Sequence, residues 1–100
     1  MQRERNTRRD GSSFDETTIQ LVWEKASRVP GSPSLRRDDC GAVIERSALG
    51  SASEFGWEID HVYPVWQGGS DNLANLIALH WENNKAKGDD YPDFACRLTR

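Results

Sequence analysis

Cysteine is scarce in this chain: Cys40 and Cys96 are the only two among 100 residues. Two cysteines do not make the dense framework that staples small secreted domains. No export signal follows the polar start, so both are expected as reduced thiols acting as small apolar side chains. Long apolar runs are absent as well, and none approaches the roughly 18 residues of a membrane span. A soluble, cytoplasmic chain with no membrane partner is the expectation. An excess of positive charge is also missing. Thirteen Lys and Arg stand against sixteen Asp and Glu, for a net charge of −3 and a pI near 5.3. That balance argues mildly against nucleic acid as a partner.

What is present is unevenly placed. The first nine residues carry Arg3, Arg5, Arg8 and Arg9 against Glu4 alone, and arginine supplies ten of the thirteen basic residues. Residues 1–12 are polar and without periodicity. They are expected as a disordered basic tail that is also able to touch phosphates as an arm. Residues 13–100 are long enough for one domain, and a chain of this size buries roughly two-thirds of its unfolded surface. Trp23, Trp57, Trp66 and Trp81 offer that small core large side chains, and all four are expected inside rather than as ligand platforms.

The stretch SSFDETTIQLVWEKASRVPG reads as a capped helix. Ser13 with Glu16 fits a capping box, Asp15 and Glu16 suit the positive end of the dipole, and Pro30-Gly31 stops the run. Ile19, Val22, Trp23 and Ala26 form one apolar stripe. A short strand is predicted around 42–45 and a second at about 57–59, with a possible continuation over 61–65. Gly68-Gly69 marks a turn, and Ser70, Asp71 and Asn72 offer side-chain caps. A loop then leads into a helix of about 76–87, ended by Gly88. Tyr91 and Phe94 in the short tail can pack back on the body. The order helix, strand, strand, helix gives an α+β fold.

Within WEIDHVYPVWQGGSDNLANLI, a carboxylate and an imidazole adjoin at Asp60-His61. Neighbours on a strand point to opposite faces, so the pair shares a target only where the backbone bends. Asn75 lies fourteen residues beyond His61, and Asn84 nine beyond Asn75. Asp60 and Asn84 could together offer oxygen ligands to one hard divalent cation. His61 would then face a water, and imidazole ordinarily titrates near 6.5, which leaves it available as a base at neutral pH.

EIDHVYPVWQGGSDNLANLIALHWENNKAKG resembles the HNH endonucleases, the ββα-metal nucleases, over about residues 20–90. Their pattern is a D/H-H pair on a hairpin, an Asn-Leu after a Gly-rich loop, then His or Asn on a helix, often with Lys three residues later. Asp60-His61, Asn75-Leu76, and Asn84 with Lys87 match it in order and spacing. The resemblance implies a two-stranded hairpin with the Asn84 helix across it, the Trp23 helix being an addition outside. By position it makes Asp60 and Asn84 metal ligands, His61 the general base, Asn75 the residue that braces the loop and orients His61, and Lys87 a phosphate contact. Spacing favours Asn84 over Asn83. The implied chemistry is metal-dependent hydrolysis of DNA phosphodiesters with Mg²⁺, Mn²⁺ or Ni²⁺. Double-stranded DNA and weak sequence preference are the implied substrate properties.

One departure stands out. Many HNH domains hold a structural zinc with two C-x-x-C pairs, but here the corresponding positions read Arg37-x-x-Cys40 and His80-x-x-Asn83. Four Cys or His ligands are the rule for such zinc, so none is expected. His80 is then a packed or partly exposed helix residue. A second reading is a nucleic-acid-binding module that keeps the fold without cutting. The sequence leaves nicking against double-strand cutting, monomer against homodimer, and biological context open.

Overall fold

The computed structural model describes residues 5–100. Helix α1 spans Glu16–Lys25. Its N-cap is Asp15, not Ser13: the Asp15 carboxylate accepts from the Thr18 amide at 2.8 Å. A charged acceptor at that point also suits the helix dipole, which explains the preference. The hydrogen bonds with Thr18 hold the Asp15 carboxyl below its ordinary range.

Three short strands follow: β1 (Ser27–Arg28), β2 (Leu35–Arg37) and β3 (Val43–Glu45), in an antiparallel sheet of that order. Strand β4 (Trp57–His61) then pairs antiparallel with β5 (Leu76–His80), in the register Trp57↔His80 to His61↔Leu76. Helix α2 spans Trp81–Lys87. The hairpin of this fold is therefore β4–β5, and the strand at 43–45 belongs to the other sheet. The segment Leu76–His80, expected as the first turn of a long helix, is strand. A five-residue apolar run satisfies either periodicity, and pairing with β4 decides it.

Alternation along the hairpin builds two layers. Trp57, Ile59, Leu76 and Ala78 face α1 and join Phe14, Val22, Trp23, Ala26 and Ile44 in the core, with the Trp23 and Trp57 rings 5.2 Å apart. Glu58 and Asp60 lie on the other face, where α2 crosses: Asn84 reaches Glu58 and Lys87 reaches Asp60. The helix that carries the motif's last residues thus lies against the strand that carries its first.

Residues 5–12, expected within a tail, lie against this body; residues 1–4 are outside the described part. Thr7 is buried and bridges to Ser13, and the Asn6 side chain accepts from the Ile59 amide at 2.7 Å. At the other terminus the expectation of reduced thiols is overturned. Cys40 and Cys96 form a disulfide across a separation of 56 residues. Partners so distant cannot be recognised from a lone pair of cysteines; only the fold brings their Cα atoms to 5.7 Å. Beside it, the buried Asp38 carboxylate accepts from the amides of Cys40, Ala42 and His80 and from Asn83. Tyr91 meets Tyr63 at 4.9 Å and Phe94 sits under the Lys87 ammonium at 5.7 Å, so the tail packs on the body. Among the described residues no helix is long and apolar enough to cross a membrane.

Candidate active site

Strand β4 delivers Asp60 and His61 to one cleft although they are sequence neighbours. His61 is the last residue of the strand, where the chain leaves the sheet, and both residues line the cleft there. Asn84 lines it from α2, and Arg5, Lys85 and Trp66 complete its rim; its volume is about 390 Å³.

Asp60 is buried, and its Oδ2 lies 3.1 Å from Lys87 Nζ. The two charges form a buried ion pair. Burial pushes the Asp60 carboxyl up to about 6, the Lys87 ammonium offsets part of this, and the nearby Asp89 and Glu58 carboxylates add to it. A carboxylate held in this way favours any further cation that reaches it.

His61 Nε2 lies 2.8 Å from Asp71 Oδ1. A carboxylate can only accept, so Nε2 carries the proton and Nδ1 keeps the lone pair of a base. Asp71 is itself held by the Arg9 amide at 3.0 Å. Sequence reasoning saw Asp71 only as a loop cap. Its signal was its place after Gly68-Gly69, which does not say where the loop folds back.

Asn75 bridges the two ends of the loop and does not touch His61 with its side chain. Its Oδ1 accepts from the Tyr63 amide at 2.8 Å, and its Nδ2 donates to the carbonyls of Tyr63 and Ser70. Its carbonyl also accepts from the Val62 amide, beside His61. Asp71, rather than Asn75, orients the imidazole. The same loop needs glycine at 69, because a Cβ there would collide with the Tyr63 carbonyl.

The two helix asparagines part company. Asn83 is fully buried, and its amide is spent on Asp38 and on the backbone of Arg97 and Leu98. Asn84 faces the cleft, where its Nδ2 donates to Glu58 Oε1 at 2.7 Å. Glu58 is buried and paired with Arg5 at 2.9 Å. Because a carboxylate takes only the NH₂ side of an amide, Glu58 fixes which way Asn84 is turned and keeps Oδ1 for another partner. The sequence gave no hint of Glu58 or Arg5 in this role, since their contact spans 53 residues.

The family model for HNH endonucleases matches residues 39–90, more than half of the chain. The chain belongs to the HNH endonuclease family. These are nucleases that act on nucleic acid and typically use a divalent metal ion. No curated protein and no solved structure matches.

Two details of this HNH domain differ from what the motif alone suggests. Lys87 is almost wholly buried, with its ammonium on Asp60 and 3.4 Å from the His61 carbonyl, so it is not placed to meet a phosphate. The exposed cation of the same helix on the cleft is Lys85. Cys40 and His80, the remnants of the zinc pattern, are engaged elsewhere. His80 ends β5 and caps α2, accepting from the Glu82 amide at Nδ1 and donating from Nε2 to the Glu54 carbonyl. Among the described residues no three His, Cys, Asp or Glu side chains converge as a metal-binding group.

Proposed function

We propose that this chain is a metal-dependent endonuclease that hydrolyses DNA phosphodiester bonds. The observation that carries the proposal is the convergence of Asp60, His61 and Asn84 on one cleft in a chain of this family. The donor set fits a divalent ion: Asp60 offers a buried carboxylate whose Oδ2 rests against the Lys87 ammonium, and Asn84 an amide turned by Glu58. Both donors are hard oxygens, which suit Mg²⁺ or Mn²⁺ and discriminate poorly between them. Bound there, the ion would supply charge stabilisation to the phosphate and the leaving oxygen.

The remaining work belongs to the chain. His61 Nδ1 takes a proton from water as the new P–O bond forms and the bond to the leaving sugar oxygen breaks. Asp71 keeps the imidazole in the required tautomer and stabilises it once protonated. Lys85 and Arg5, on the cleft rim, meet backbone phosphate, a contact that reads no sequence. Weak sequence preference follows from that.

One observation favours a second reading, a module that binds DNA without cutting: the Lys87 ammonium already sits against Asp60. Conversion of supercoiled plasmid separates the two. Cleavage with Mg²⁺ or Mn²⁺ that is lost with EDTA and in His61→Ala supports the nuclease. Binding without conversion in any divalent ion supports the module instead.

A further inference from the structure

Trp66 is the structural surprise of the cleft. Of the four tryptophans, Trp23 and Trp57 are buried and Trp81 is half-buried, whereas Trp66 is 70% exposed. A bare indole forgoes a large hydrophobic gain, so its position calls for a partner. The segment that presents it is tightly determined. Residues Val65–Gln67 form a single 3-10 turn, closed by Gln67 and Gly69 amides on the Pro64 carbonyl and by Gly68 on Val65. Gly68 takes a positive φ of 107° that permits the closure, Gly69 makes a backbone approach no side chain would allow, and Asn75 ties the two ends of the loop together. The backbone that carries Trp66 is therefore ordered in advance, and little entropy remains to be lost on contact.

We infer that Trp66 is a stacking platform for a nucleobase of the strand held at Asp60 and His61, a role that rests on the DNA-cleaving reading above. The ring lines the same cleft as the candidate catalytic pair, so a strand whose phosphate lies at His61 brings a base within its reach. Its surroundings on the rim are charged, with Arg5, Lys85 and Asp89. An apolar protein surface would want a contiguous apolar patch. A flat π-face with Arg5 and Lys85 beside it, although Asp89 is there too, is instead the combination that holds an unstacked base and its backbone. Asn75 thereby acquires a second consequence: the loop it braces fixes the platform as well as the route past His61.

The test uses the full chain with His61→Ala, which keeps DNA intact, and a labelled single-stranded oligonucleotide read by fluorescence anisotropy. Adding Trp66→Ala is expected to weaken binding roughly five- to 100-fold, and Trp66→Phe to restore most of it. The slope of log affinity against log salt should not change, because no phosphate contact is removed. DNA should also shield the parent protein's emission from acrylamide, since Trp66 is the one tryptophan among its exposed large apolar residues. Equal binding by the Trp66→Ala protein, or a loss accompanied by a changed salt slope, overturns the proposal. If wild type cleaves plasmid and the Trp66→Ala enzyme does so with unchanged KM and kcat, the platform alone is refuted. If the parent binds no DNA at all, the nuclease reading falls with it.

Discussion

Asp60→Asn in metal-free protein should make the domain more stable at neutral pH and leave it unchanged in acid. The Asp60 carboxyl is pushed from its ordinary 3.8 to about 6, chiefly by burial. Between those values the folded chain holds a proton that the unfolded chain has released, so stability falls as pH rises through that window. A carboxyl moved by that much destabilises the fold by about 3 kcal/mol once pH exceeds 6. The side chain is only 11% exposed, so little of this is lost to solvent screening. Below pH 3.8 the native aspartic acid and asparagine are both neutral, Lys87 lacks a charged partner in either, and the two proteins should coincide. Urea unfolding in EDTA from pH 3.5 to 8 measures the difference directly. It should grow in favour of the variant to about 3 kcal/mol, with most of the change before pH 7. Mg²⁺ or Mn²⁺ added at pH 7.5 should then raise the stability of wild type and not of the variant. A difference that stays flat across the pH range would refute the claim that a destabilised carboxylate waits in this cleft.

Three other outcomes follow from particular contacts. Glu58→Ala frees the Asn84 amide and should weaken Mn²⁺ binding about 10- to 100-fold by calorimetry while far-ultraviolet dichroism is kept; an unchanged affinity would detach Glu58 from the site. Asn75→Ala removes three hydrogen bonds from the loop, should cost about 2–3 kcal/mol in urea unfolding, and should lower cleavage although His61 is untouched. Cys40→Ser with Cys96→Ser opens a loop of 56 residues and should cost about 4 kcal/mol, while mass spectrometry of the wild-type protein should show the oxidised pair.

The candidate site residues were legible early because their types and order are specific. Asp60-His61, a glycine turn, Asn75-Leu76 and Asn84 form a pattern that a family match over residues 39–90 then bears out as HNH. Strand β4 was legible in part: its start at Trp57 follows Gly56, but it was read as ending near Ile59 with a possible continuation over 61–65, whereas it runs unbroken to His61. Strand β5 was not. LIALH is short and apolar, and it is extended only because the β4 backbone is there to pair with it. The same limit hid the disulfide, whose partners are adjacent only after the tail has wrapped across Asn83.

The sequence by itself determined the α+β class, the helix that carries Trp23, and which side chains are able to do acid–base and metal chemistry. These are local matters of residue type, caps and short spacing. Tertiary structure decided their assignments. It turned Lys87 inward onto Asp60 and left Lys85 outside, gave His61 to Asp71, set Asn84 apart from Asn83 through Glu58 and Asp38, and left Trp66 in the open. Burial and partnership depend on segments up to 62 residues apart meeting, and no local pattern encodes that meeting.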